Sequence, residues 1–261
     1  MKARASILRL AGVVAFGVAC GGPPPPVPPR DPLLRAAGVE LYRAEADTQA
    51  RPRAFLFFFG NDVGFWGPYR ELATRLAGAG FATAGFDMRA LLRALPDAEP
   101  ARDSAFVARI RPLIDASRTE LGAGDAPALV GGHSLGAEVA VWLAVHAPPA
   151  GLVGVLDLSP GARGHLRVTL ADIANTAQPT EAGSFAIADE VRALAPGVRF
   201  ALVRGANDRY GDADADILRA GGDRARRFDI PMAGHSLKRL TLVAPVVRAA
   251  AEWLLAPAPP R

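Results

Sequence analysis

The feature that most constrains this chain is a serine placed between two glycines, where a short apolar strand is followed by a helix. Residues 128–131 predict a buried strand, and a helix is expected from Leu135 to His146. Between them, residues 132–136 read Gly-His-Ser-Leu-Gly, which matches the pattern Gly-x-Ser-x-Gly. Glycines permit a sharp turn and a close approach of strand and helix. The pattern therefore predicts that the Ser134 hydroxyl lies at a helix N-terminus, where the helix dipole favours negative charge.

Apolar strand segments alternate with helical segments along the rest of the chain. This alternation predicts a mostly parallel central sheet flanked by helices on both faces. With the glycine-flanked serine, it resembles the α/β-hydrolase fold, in which such a serine forms the nucleophile elbow. Residues 160–186 are less regular, and we expect them to form an excursion or small lid over the site, after the sixth strand of that fold. Strands are expected at 39–44, 54–59, 80–87, 127–131, 151–159, 198–204 and 225–230, and further helices at 68–78, 103–121 and 240–255.

Two further residues, both C-terminal to Ser134, complete a candidate catalytic triad. Asp208 follows one predicted strand, and His235 follows the next. In this fold the order serine, acid, histidine is expected, with the imidazole as general base and the carboxylate fixing its tautomer. Asp157, which also lies in a predicted strand, is the alternative acid.

The candidate oxyanion donors are two backbone N–H groups. The loop after the apolar strand 54–59 begins at Gly60, and the N–H of Asn61 is one candidate; the N–H of Leu135, directly after the serine, is the other. Asp62 and Trp66 of the same loop are candidate substrate-binding residues, although a loop-capping role for Asp62 is at least as compatible with the sequence.

The remaining histidines and one acidic run have simpler interpretations. His133 adjoins the serine but is expected to pack, His146 ends the helix after the serine, and His165 is expected to be exposed in a loop. The acidic run resembles half of a calcium loop without the rest of that pattern, so we expect a solvated loop and no metal site. This run contains Asp212, Asp214 and Asp216.

Several segments together resemble the bacterial VirJ/AcvB virulence-protein family. They are residues 58–66 (Phe-Phe-Gly-Asn-Asp-Val-Gly-Phe-Trp), 79–87, the elbow 132–138 with its Gly-Ala-Glu ending, 205–208 and 234–235. The resemblance implies an α/β-hydrolase fold, a periplasmic location and a serine hydrolase, and some members are implicated in hydrolysing aminoacylated phosphatidylglycerol. This chain departs from the family pattern in the oxyanion loop and in residues 88–100, which lack the family's aromatic cluster.

The N-terminal segment predicts export. Residues 1–20 combine a basic start, an apolar run from Leu10 to Ala19 and the single cysteine, Cys20, in a context that resembles a lipoprotein signal. Cys20 is therefore a candidate lipidation site, with an ordinary signal peptide as the alternative. Residues 21–35 predict a Pro-rich linker and 36–256 the hydrolase domain, so we expect a periplasmic protein that is anchored to the membrane as a lipoprotein.

Composition narrows the function class. The net charge is +4, and the basic residues are distributed along the chain without a basic run, which argues against a nucleic-acid-binding surface. No sequence motif for binding a cofactor occurs. We expect a serine hydrolase that cleaves a lipid or small-molecule ester, with aminoacyl-phosphatidylglycerol as the sharpest candidate. The alternative is a non-catalytic binding or accessory protein of the envelope on the same scaffold. The sequence does not predict an oligomeric state.

Overall fold

A seven-stranded sheet forms the centre of the structure. A computed structural model describes residues 26–45, 51–174, 177–236, 238 and 240–257. The strands are β1 (Glu40–Tyr42), β2 (Ala54–Phe59), β3 (Phe81–Phe86), β4 (Ala128–His133), β5 (Leu152–Leu158), β6 (Arg163–Gly164), β7 (Phe185–Ala186), β8 (Arg199–Gly205) and β9 (Ala225–Ile230). The sheet order is β1-β3-β2-β4-β5-β8-β9, and β6 and β7 form a separate antiparallel ribbon. In the main sheet β1 is antiparallel to β3, and the other neighbouring strands are parallel.

Helices cover both faces of this sheet. They are α1 (Pro32–Ala37), α2 (Gly67–Gly78), α3 (Arg89–Arg93), α4 (Ala101–Glu120), α5 (Leu135–His146), α6 (Leu170–Ala174), α7 (Ile187–Ala193), α8 (Asp214–Gly221) and α9 (Leu240–Leu255). Helices α2 and α9 pack on one face, and α4, α5 and α7 pack on the other. Strand β2 is apolar throughout because both of its faces are buried. Phe55, Phe57 and Phe59 lie in the core on one side of the sheet, whereas Leu56 and Phe58 lie in the core on the other.

The parallel strands determine where the site lies. Ser134 follows β4, Asp208 is the third residue after β8, and His235 follows β9 after a short loop. Because β4, β5, β8 and β9 run parallel as neighbours, these residues meet at one edge of the sheet.

The folded part begins before the expected boundary at residue 36. Helix α1 starts inside the expected Pro-rich linker 21–35, where Asp31 accepts a hydrogen bond from the Leu33 N–H and Pro32 occupies the first turn. Leu34 is fully buried, and the Val27 N–H donates to the Leu41 carbonyl across 2.6 Å. The end of the linker therefore packs on the domain. The expected signal segment 1–20 and Cys20 lie outside the described residues.

The excursion between β5 and α7 contains the β6–β7 ribbon and the short helix α6. It lies over the first turn of α5, since a Cβ added at Gly164 would approach the Glu138 Cβ to 2.7 Å. We call this segment the lid, because it occupies the place at which residues 160–186 were expected to form one; that it covers the site as a lid stays a prediction. None of the helices in the described ranges is long and apolar enough to span a bilayer.

Candidate active site

Ser134 occupies a one-residue turn between β4 and α5. Its φ of 55° lies in the left-handed region, which is energetically unfavourable for any residue other than glycine. Here this conformation makes the turn sharp. The Ser134 N–H donates to the Leu158 carbonyl at 2.9 Å, which fixes the turn to the neighbouring strand. The serine hydroxyl is thereby held at the N-terminus of α5, as the sequence pattern predicts.

Glycines make this turn sterically feasible. A Cβ at Gly132 would overlap the carbonyl group of Gly136, and a Cβ at Gly136 would overlap the carbonyl oxygen of Gly60. The second contact also brings the loop after β2 against the start of α5. The three glycines therefore place Asn61, the residue after Gly60, beside the elbow.

Ser134, His235 and Asp208 form a continuous hydrogen-bonded chain. His235 Nε2 lies 3.0 Å from Ser134 Oγ, and His235 Nδ1 lies 3.2 Å from Asp208 Oδ2. Because a carboxylate only accepts, Nδ1–H donates to Asp208, and Nε2 is left to accept from the serine hydroxyl. The Asp208 side chain is fully buried, whereas that of His235 is 24% exposed. The structure thus brings together the three residues that the sequence singled out.

The environment of Asp208 keeps its carboxyl ionised. Burial favours the neutral form, but hydrogen bonds from His235 and from the Tyr210 N–H, together with the positive charge of Arg204, outweigh it. They hold the pKa of Asp208 well below its usual range. An ionised carboxylate is the form that can accept the Nδ1–H bond and stabilise an imidazolium.

A buried arginine holds Asp208 from behind, and the sequence analysis did not identify it. Arg204 on β8 donates from Nη1 to Asp208 Oδ2 at 3.0 Å, the oxygen that also accepts from His235. Its Nε and Nη2 make a bidentate pair with Asp214 at 3.1 and 2.5 Å, and Nη2 also donates to the Pro160 carbonyl. Arg227 donates to Asp214 as well, so charges of alternating sign continue to the surface.

This network corrects the interpretation of the acidic run. Asp214 is 2% exposed and pairs with Arg204, so the prediction of a solvated loop was wrong for this residue. Asp212 and Asp216 are exposed, and Asp216 pairs with Arg219. The run folds as a 3-10 turn followed by α8 because the pairing with Arg204 fixes Asp214 at the helix start. A signal was present in the sequence: Arg204 directly follows the apolar residues 200–203 of β8, where a charge requires a partner.

His133, next to the serine, connects the elbow to the loop of His235. The backbone carbonyl of His235 accepts a hydrogen bond from His133 Nε2–H at 2.7 Å, so His133 Nδ1 accepts from the Tyr69 hydroxyl at 2.8 Å. Burial, reinforced by the neighbouring His235, lowers the pKa of His133 to about 3. His133 is therefore a neutral residue that packs, as expected, and in addition positions the loop.

The candidate oxyanion donors lie on the two sides of Ser134. Leu135 begins α5, where N–H groups have no partner within the helix, and Asn61 belongs to the loop that contacts Gly136 through Gly60. A hydrogen bond from the Gly64 N–H to the Asn61 carbonyl at 2.9 Å closes this loop. Their function as oxyanion donors remains a prediction.

Asp62 and Trp66 lie in the same loop segment. Asp62 is half-buried, and burial together with the negative charge of Asp172 raises its pKa, while nearby His235 and Arg89 oppose this shift. Asp62 is thus within electrostatic reach of the triad histidine. The Trp66 side chain is 43% exposed and meets Tyr69 edge to face.

Asp157, the alternative acid, makes no contact with His235. It is completely buried in β5, and neither carboxyl oxygen has a hydrogen-bond partner. Burial, followed by the charge of Glu138, raises its pKa well above the usual value, which favours the neutral form. Glu138 on α5 is also buried; it accepts from the Gly161 N–H at 3.0 Å, and burial raises its pKa to about 7.

The two remaining histidines lie apart from the serine. His146 ends α5, stacks on Trp142 and contacts Glu190 at 3.1 Å. His165 is buried, which corrects the expectation of an exposed loop residue. It lies between Glu181 at Nδ1 and Asp172 at Nε2; burial opposes its charge, but these two acids prevail and raise its pKa.

No metal centre is suggested by the described part of the chain, where no group of three or more His, Cys, Asp or Glu residues is placed to hold an ion.

Comparison with protein-family models and with curated protein sequences finds no match. Solved structures do match. The esterase domain of a Rhodothermus marinus protein aligns with a TM-score of 0.59 at 16% identity, over 83% of this chain and 91% of its own. A thermostable carboxyl esterase from Bacillus coagulans aligns with a TM-score of 0.57 at 12% identity, over 84% and 94%. The chain has the α/β-hydrolase fold.

This result confirms the expected fold class, a mostly parallel sheet with helices on both faces. Thermogutta terrifontis esterase 2, in a structure described as phosphoramylated by tabun, is similar to this α/β-hydrolase domain with a TM-score of 0.55 at 16% identity, over 83% of this chain and 88% of that one. At such identities the likeness concerns the fold, so the chemistry of this α/β-hydrolase domain must be argued from its own residues.

Proposed function

We propose that this protein is a serine hydrolase that cleaves a carboxylic ester, with Ser134 as nucleophile, His235 as general base and Asp208 as the triad acid. The observation that carries the proposal is the hydrogen-bonded chain from Asp208 through His235 to the hydroxyl of a serine in a strained elbow. A serine that only packs or caps has no need of a base at 3.0 Å that is itself oriented by a buried carboxylate.

The mechanism follows from this geometry. As Ser134 Oγ attacks the ester carbonyl carbon, its proton passes to His235 Nε2, and Asp208 stabilises the resulting imidazolium through Nδ1–H. The N–H groups of Asn61 and Leu135 hold the oxyanion, assisted by the positive end of α5. The carbonyl then re-forms, His235 returns the proton to the leaving alcohol, and water attacks the acyl-enzyme by the same route.

The compared structures support this reaction class. All three are named as esterases or esterase domains, and one of them is described as phosphoramylated by tabun. An organophosphorus reagent is therefore the appropriate probe for an activated serine in this chain.

For the substrate, we propose an envelope lipid ester, with aminoacyl-phosphatidylglycerol as the first candidate. The resemblance to the VirJ/AcvB family and the predicted export signal with Cys20 support a periplasmic, lipid-anchored enzyme. Asp62 supports the assignment of a substrate with a cationic group. Its half-buried carboxyl lies near His235 and has a raised pKa, and an ammonium group on the substrate would stabilise its ionised form.

The first test is fluorophosphonate labelling of the mature domain, with Ser134→Ala as the matched control and the labelled residue mapped by mass spectrometry. We expect labelling at Ser134 that the variant loses. A folded wild-type domain that does not react would refute the hydrolase and favour a non-catalytic envelope protein.

The substrate is tested separately by hydrolysis of lysyl-phosphatidylglycerol beside a neutral acyl ester. Asp62→Asn should lower kcat/KM for the cationic substrate by about tenfold and leave the neutral ester nearly unchanged. An enzyme that cleaves only the neutral ester would refute the aminoacyl-lipid assignment and leave the serine hydrolase intact.

A further inference from the structure

Exposed large hydrophobic side chains are concentrated around the mouth of the site. Six such side chains are found in the described ranges, and five of them lie on three short segments that border Ser134. We call these five the apolar collar; their exposed fractions run from 43% to 83%. The apolar collar consists of Val63, Trp66, Leu170, Ile173 and Met232.

Contacts within the site connect each segment to the serine. The loop of Val63 and Trp66 touches the elbow through Gly60. Met232 lies three residues before His235, in the loop whose carbonyl His133 holds. Helix α6, which carries Leu170 and Ile173, is connected through Asp172 to His165, whose neighbour Gly164 packs on Glu138 in the first turn of α5.

The two lid side chains are held outward by polar contacts on the inner side of α6. Asp172 accepts from the Thr169 N–H and hydroxyl at 2.6 and 2.8 Å, and it also contacts His165 Nε2 at 3.1 Å. His165 is anchored in turn by Glu181. The exposed position of Leu170, whose side chain is 83% exposed, is therefore fixed by the polar contacts of α6 and is not a result of poor packing.

The loop that carries Met232 has a charge of one sign. From Ile230 to Leu240 the sequence contains Lys238 and Arg239 and no acidic residue, whereas Arg248, further along α9, pairs with Glu252. Lys238 is exposed, three residues after His235. Apolar side chains beside basic ones are the combination that binds an anionic bilayer, in which apolar groups enter the interface and cations meet lipid phosphates.

We propose that the apolar collar docks on the surface of an anionic phospholipid bilayer and presses the mouth of the site against it. The docking is argued from the collar and from Lys238 and Arg239 in the loop of Met232, while the acid of the lid segment, Asp172, is paired with His165. Its consequence, that esters are taken directly from the membrane, rests on the proposed function. The occupant is a lipid surface, which distinguishes this proposal from the N-terminal anchor, since the folded domain should bind without residues 1–25.

The test measures vesicle binding in the Ser134→Ala background, so that it does not depend on hydrolysis. The domain from residue 26 is sedimented with phosphatidylcholine vesicles that contain or lack phosphatidylglycerol. Leu170→Ser with Ile173→Ser should weaken binding by about tenfold or more. The matched control is Leu33→Ser, the sixth exposed hydrophobic side chain, which lies on α1 outside the collar; it should bind like the parent.

Further outcomes decide the proposal. Binding that requires phosphatidylglycerol and weakens with salt supports the proposal. So does a collar variant with Ser134 intact whose hydrolysis rate falls more on vesicle-borne esters than on a dissolved short-chain ester. Equal binding by the collar variant and the parent would overturn it, as would no binding by a folded parent domain. A concentration-dependent dimer that the collar substitutions dissociate would overturn it too, because the occupant would then be a second copy of the chain.

Discussion

Replacing Asp157 with asparagine should stabilise the protein at neutral pH, although it removes a buried acid beside the site. The Asp157 carboxyl is 0% exposed, lacks hydrogen-bond partners and has a pKa well above its usual value. The unfolded chain releases this proton near pH 3.9, whereas the native protein retains it. Its contribution to stability is therefore fully present below that pH and is lost as pH rises toward the native pKa.

The size of the effect follows from proton linkage. Each pH unit over which the native protein keeps a proton that the unfolded chain has lost reduces the free energy of unfolding by about 1.4 kcal/mol. Between pH 5 and pH 7 the wild type should therefore lose stability at this rate up to the native pKa of Asp157, which sets an upper bound of about 2.7 kcal/mol for this interval. Asparagine is neutral throughout and similar in shape, so Asp157→Asn removes this slope.

Urea unfolding at pH 5, 6 and 7 measures the difference between wild type and Asp157→Asn. The difference should grow with pH in favour of the variant, while the Glu138 contribution largely cancels because both proteins retain it. Parallel pH dependences would show that Asp157 is ionised or partnered in the native state and would refute the reasoning. Ester hydrolysis should persist in the variant, since His235 Nδ1 donates to Asp208.

Three further predictions concern residues around the triad. Arg204→Lys should lower kcat by about tenfold and reduce the thermal midpoint, since one ammonium cannot replace a fork that holds Asp208 from behind; unchanged kinetics would argue against a positioning role. His133→Phe should lower kcat/KM by about tenfold with an unchanged circular dichroism spectrum, because the carbonyl of His235 loses its donor; full activity would refute it. Limited proteolysis within 160–186 should accelerate as pH rises through the raised pKa of His165, and His165→Gln should abolish that dependence; pH-independent cleavage of the wild type would contradict the prediction.

The elbow and the strand segments of the sheet were accessible from sequence because their signals are local. The pattern around Ser134 specifies its own turn through glycines, and helices α5 and α9 have the predicted bounds, Leu135–His146 and Leu240–Leu255. The continuous apolar run of β2 similarly indicates a strand buried on both faces. Asp208 and His235 follow from the fold, which places residues after parallel strands at one edge.

The buried polar contacts were not accessible in the same way, because each joins residues that are distant in sequence or ambiguous alone. Asp214 looked like part of a solvated acidic run until Arg204 paired with it. His165 looked like a loop residue until Glu181 and Asp172 enclosed it. Asp157 ends an apolar strand as a triad acid would, and only its missing contact with His235 distinguishes the two roles.

The close packing of Gly60, Gly132 and Gly136 has a consequence for how this site can change during evolution. Each of the three would bring a new Cβ against main-chain atoms that no rotamer change can move aside. Beside the triad, the least replaceable positions are therefore ones that contribute no side chain, while Asn61 and Val63 next to them can vary. New substrate preferences must therefore arise through the loop tip and the lid. A mutational scan should find that the three glycines do not tolerate substitution, whereas the surrounding loop and lid positions do.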